Sequence, residues 1–119
     1  MDQPIKATAH GTIDYGFAAA QLVAPKLLGL NLPASAILTA FGATQGLLNA
    51  VTDTPVGAIR QLPLRTHGYI EAATIPLVGL IAARSGALSG TREKFFLGAL
   101  GLSLATVYTL TDWEADADS

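Results

Sequence analysis

Thr66-His67-Gly68-Tyr69-Ile70-Glu71 repeats a pattern that the chain has already used fifty-seven positions earlier, at His10-Gly11-Thr12-Ile13-Asp14. Each copy sets a histidine and a carboxylate four residues apart and leads into an uncharged run rich in Ala, Leu, Val and Gly. Residues four apart share one face of a helix. Each copy therefore predicts a His/carboxylate pair in the first turns of an apolar helix, and the duplication predicts that the same unit is built twice.

The rest of the chain extends this reading. With 119 residues, 50% hydrophobic and only 13% charged, and a mean hydropathy of +0.43, it suits one domain and is far poorer in charge than an average soluble domain, which is about 25% charged. A first helix is predicted from about Thr8 to Leu28. A second follows Pro33 and runs to Thr52 without a charge, and about 20 such residues suffice to cross a bilayer. A third runs from Thr66 to Ala83 through Pro76, and a fourth from Arg92 to Thr111. Between the second and third, Val56 to Leu62 reads as a short surface helix stopped by Pro63. Asp112 to Ser119 reads as a frayed acidic tail, with Trp113 at a membrane interface.

The expected fold class is all-α: a four-transmembrane-helix bundle built from two sequence-related helical hairpins. Repeat 1 covers about 8–53, a connector 54–65, repeat 2 about 66–112 and the acidic tail 113–119. The offset is 57 at the histidines and 59 further on, where Gly42 meets Gly101 and Thr52-Asp53 meets Thr111-Asp112. Two spans per repeat make the hairpins parallel. Basic residues divide as Lys26, Arg84, Arg92 and Lys94 against Lys6, Arg60 and Arg65. This places the termini on the non-cytoplasmic side of a bacterial inner membrane.

Polar groups in such a setting face the bundle interior. The expected interior layer is His10, Asp14, Gln21, Gln45, Asn49, Asp53, His67 and Glu71. Its first reading is interhelical hydrogen bonding. Sharper readings give His10 and His67 a haem, pigment or quinone, or make the His/acid pairs a proton relay. The Glu-x-x-His spacing of dinuclear bundle sites is absent, so no metal ligands are assigned. No nucleophile motif or phosphate loop appears, so no catalytic residues are assigned and no cofactor is required. There is no cysteine, no dense basic cluster and a net charge of −2, which sets nucleic acid aside.

The connector Thr52-Asp53-Thr54-Pro55-Val56-Gly57-Ala58-Ile59-Arg60-Gln61-Leu62-Pro63-Leu64-Arg65-Thr66-His67, together with His10-Gly11-x-x-Asp14-Tyr15, resembles small bacterial four-helix membrane proteins of the SPW-repeat type. The Ser-Pro-Trp tripeptide itself is absent, with Ala24-Pro25-Lys26 and Ile75-Pro76-Leu77 in its place. The resemblance implies a duplicated hairpin in the membrane and no particular activity. The functional expectation is a non-catalytic accessory or stabilising subunit of a larger membrane complex, in contact with lipid and with other subunits or copies of itself. The alternative is a cofactor-binding or proton-relay redox protein that uses the paired His/carboxylate layer.

Overall fold

Four helices make up the computed structural model, which describes residues 3–119: α1 (Ala7–Leu28), α2 (Leu32–Ala50), α3 (Leu64–Arg84) and α4 (Thr91–Leu110). Their ends follow local chemistry. Gly29 closes α1 in the left-handed conformation (φ 60°) that glycine adopts without strain. Asn31 then caps α2, its Oδ1 accepting from Ala34 N at 2.9 Å, with Pro33 in the first turn. Across the same end, Glu93 accepts from Asn31 N at 2.6 Å, and Arg92 donates to Leu28 O at 2.9 Å. The two interhelical loops are thereby tied together.

At the opposite end lie the connector, the segment ahead of α1 from residue 3, and the C-terminal tail. The predicted surface helix over 56–62 is not formed. Instead the segment runs through turns, because Ala58 and Ile59 N–H bond to Ala50 O, Gln61 and Leu62 N–H bond to Val51 O, and Leu62 O accepts from Asp53 N at 2.7 Å. The tail is not frayed either. Ser119 supplies the missing cap of α1, its O accepting from Thr8 N at 3.0 Å and its Oγ from Ala7 N at 3.2 Å. Arg60 bonds Asp118 and Arg65 bonds Glu114.

Among the described residues no helix is long and apolar enough to cross a membrane, so the expected membrane spans are not found. The reason lies in composition: Gln, Asn, Thr and Gly interrupt even the uncharged α2, at Thr39, Gly42, Thr44, Gln45, Gly46 and Asn49. Polar and apolar side chains share the interior, which includes an apolar cluster of Leu30, Ala34, Leu38, Ala82 and Ala87. The buried hydrophobic residues are largely alanines, with Leu30, Leu38, Leu64 and Leu104, while Leu27, Leu32, Leu47, Phe95 and Leu102 are each at least 70% exposed. Buried alongside those alanines are His10, Asp14, Gln21, Gln45, Asn49, Thr52, His67, Glu71 and Thr111. The α1–α2 hairpin is close-packed: Gly42 leaves no room for a Cβ, which would stand 2.9 Å from Gln21 Cβ. Its counterpart Gly101, on α4, faces open space.

Candidate metal centre

His10 and Asp14 project from the first turns of α1, and His67 and Glu71 from those of α3, so the four meet at the connector end of the bundle. All are buried. His10 Nε2 and His67 Nε2 are 3.3 Å apart. Asp14 Oδ2 lies 3.1 Å from the first and 2.9 Å from the second, and Glu71 Oε1 lies 3.7 and 3.2 Å from them. One donor atom from each residue thus falls within 4.8 Å of all the others.

The outer nitrogens decide what the inner ones present. Thr52 Oγ1 donates its single proton to Leu48 O at 2.6 Å, and Thr111 Oγ1 donates to Val107 O at 2.6 Å. Each hydroxyl can then only accept from the imidazole beside it. His67 Nδ1–H donates to Thr52 Oγ1 at 2.7 Å and His10 Nδ1–H to Thr111 Oγ1 at 3.0 Å. In the neutral form both rings therefore turn a bare Nε2 lone pair inwards. Two such lone pairs 3.3 Å apart, with two carboxylate oxygens beside them, repel unless protons or a cation stand between them.

The electrostatics point the same way. Burial would push the His10 pKa down, but the carboxylates of Asp14 and Glu71 outweigh it and raise His10 to about 9. His67 is raised by the same two groups against the same opposing burial. For Asp14, burial acts to raise the pKa, and the bonds to His10 and His67 reverse that and hold it well below the ordinary carboxylate range. The pocket favours positive charge at its centre.

The rest of the expected layer divides. Gln21 and Gln45 form a second polar rung deeper in the α1–α2 hairpin: Gln21 Nε2 donates to Gln45 Oε1 at 2.6 Å and to Phe17 O at 3.0 Å. Asn49 Nδ2 donates to Gly11 O at 2.7 Å. Asp53 does not join the interior; it is half-exposed and paired with Arg60 at 2.8 Å.

Three contributors were missed from sequence. Thr52 and Thr111 are the histidine acceptors, and the matched Thr-Asp at 52–53 and 111–112 is their signal in the sequence. Trp113 stacks on His67 (centroids 6.1 Å, interplanar 27°) and meets His10 edge-on at 4.7 Å, roofing the site. Gly68 makes room for it, since a Cβ there would stand 2.7 Å from the indole. Gly68→Ala is expected to displace the ring, weaken the fold by about 1 to 3 kcal/mol and change the tryptophan near-ultraviolet circular dichroism. An unchanged spectrum would place Trp113 elsewhere.

Fold and site together define a four-helix protein with a buried two-histidine, two-carboxylate centre. No family model, curated protein or solved structure matches the chain.

Proposed function

We propose that this chain is a small metal-binding four-helix protein in which His10, Asp14, His67 and Glu71 each give one donor atom to a single divalent transition-metal ion. The observation that carries the reading is the set of separations between the two nitrogens and from each nitrogen to the carboxylate oxygens, 2.9 to 3.7 Å, with all four donor atoms within 4.8 Å of one another. Four ligands about 2.0 to 2.2 Å from a tetrahedral ion stand about 3.3 to 3.6 Å from one another. Two carboxylates neutralise a divalent ion, which keeps its burial inexpensive. Threonine-held Nδ1–H groups fix the imidazoles in the ligating tautomer, the usual outer support of a metal site. Imidazole with carboxylate suits zinc, ferrous iron or manganese. With all four positions supplied by the protein and Trp113 overhead, the centre has the closed form of structural sites, and its role is to lock two hairpins of one duplicated unit together.

Metal-free protein equilibrated with Co(II) is expected to bind one ion per chain and to show the intense visible bands of tetrahedral cobalt. His67→Ala is expected to remove them. If neither Co(II), Zn(II), Mn(II) nor Fe(II) binds stoichiometrically, the reading fails.

A second, wider reading concerns the exterior. Leu27, Leu32, Leu47, Phe95 and Leu102 stand on the surface, apolar side chains that a partner could cover. This supports a role as a non-catalytic accessory subunit of a membrane assembly, with partner helices covering that surface. Extraction in mild detergent tests it: co-purification with one defined set of polypeptides supports the role, and a monodisperse monomer without detergent removes it.

A further inference from the structure

A cleft of about 290 Å³ runs between α3 and α4, walled by Val78, Ala82, Leu97, Leu100 and Leu104. Gly79, Gly98 and Gly101 also face it, and a Cβ on any of the three would meet nothing within 4 Å. A glycine inside a helix costs about 0.8 to 1 kcal/mol relative to alanine. Gly42 repays that cost by letting α1 and α2 touch, whereas these three allow no contact within the chain. The volume they vacate is left for something else.

At its inner end the cleft shares Phe41, Ile75 and Leu104 with a chamber of about 30 Å³ that Gln45, Glu71 and Thr74 also line. Gln45 is 4% exposed, and its Nε2 has no hydrogen-bond partner. Its orientation is fixed. Gln21 Nε2 must be the nitrogen because it donates to Phe17 O as well as to Gln45 Oε1, so the Gln45 amide has to turn its oxygen to Gln21 and its two N–H groups away. A buried donor left unpaired costs about 1 to 3 kcal/mol. Neither Thr74 nor Glu71, on the same wall, is hydrogen-bonded to it. Glu71 lines the chamber and disfavours an anionic head group beside the amide, whereas Lys94 lines the cleft and not the chamber.

From the cleft and the unpartnered amide we infer a second binding site, for a neutral lipophilic quinone. Its apolar ring and tail lie along Gly79, Gly98 and Gly101, and one carbonyl oxygen reaches past Phe41 to accept from Gln45 Nε2. The site stands beside the metal centre but does not depend on an ion being present there.

The test is calorimetric titration of metal-free protein, in mild detergent, with a decyl-substituted benzoquinone and with the corresponding decylbenzene, which lacks the carbonyls. The quinone is expected to bind at one per chain, about tenfold or more tighter than the hydrocarbon, one hydrogen bond of about 1.4 kcal/mol being a factor of ten. Gln45→Leu is expected to erase that preference while leaving hydrocarbon binding. Gly98→Leu, which fills the cleft without touching the amide, is expected to abolish binding of both and to leave the melting temperature unchanged or raised. Equal affinity for the two ligands would mean that water satisfies Gln45 in the chamber, and would overturn the proposal. So would undiminished quinone binding by Gly98→Leu, or self-association that Gly98→Leu abolishes in the absence of ligand, which would assign the cleft to a second copy of the chain. Because no metal is added, failure here leaves the cobalt experiment unaffected, and failure of that experiment leaves this one standing.

Discussion

Asp14→Ala is expected to lower the free energy of unfolding of the metal-free protein by about 3 to 5 kcal/mol, the usual consequence of removing one member of a buried charged group. A single carboxylate oxygen faces both imidazole Nε2 atoms, at 3.1 and 2.9 Å, and the side chain is 1% exposed. Without it the two rings confront each other with Glu71 as their only acidic neighbour. Asp14→Asn keeps the shape and loses the charge, so it separates the cavity from the electrostatics; most of the loss is expected to persist in it. Urea unfolding followed by far-ultraviolet circular dichroism measures both. A change below about 1 kcal/mol in Asp14→Ala would show that the carboxylate does not hold the imidazoles in the folded protein.

Binding of a divalent ion is expected to act in the opposite direction. At a free ion concentration one hundred times the dissociation constant, mass action stabilises the folded state by about 2.7 kcal/mol, on the order of 10 °C in Tm for a domain of this size. The gain is expected to vanish in the doubly substituted His10→Ala/His67→Ala chain. Thr52→Val leaves every ligand in place and removes only the acceptor of His67 Nδ1–H, so it is expected to weaken ion affinity by about 10- to 100-fold. Differential scanning calorimetry with and without zinc reads all three. A Tm rise of equal size in the doubly substituted chain would assign the ion to some other part of the molecule.

Much of this arrangement was legible in the residues themselves. Helical spacing put His10 with Asp14 and His67 with Glu71, and the apolar runs, with Pro33 ahead of the second and Pro63 ahead of the third, located all four helices to within a few residues. What pattern could not supply was the pairing across elements. A ligand motif is recognisable in sequence when one helix carries it, and here each helix brings only half, with no Glu-x-x-His anywhere in the chain. The connector misled because Val56, Ile59 and Leu62 have helical spacing, while the Ala50 and Val51 carbonyls at the end of α2 capture its N–H groups. Asp53 misled because the residue that turns inwards is its neighbour Thr52. Hydropathy misled because alanine and glycine make a helix look membrane-like without making it apolar enough to cross.

The crossed threonine contacts bear on how the chain reaches this state. His10 is held by Thr111, 101 positions away, and His67 by Thr52 of the other hairpin. Neither hairpin can complete the surroundings of its own histidine. Loop closure over that distance comes late relative to local helix formation, so the centre assembles only after both hairpins exist and have met. The same crossing means that two separate single hairpins, associating about a two-fold axis, could close an equivalent ring, and a chain cut within 54–62 is expected to regain the site by reassociation of its halves.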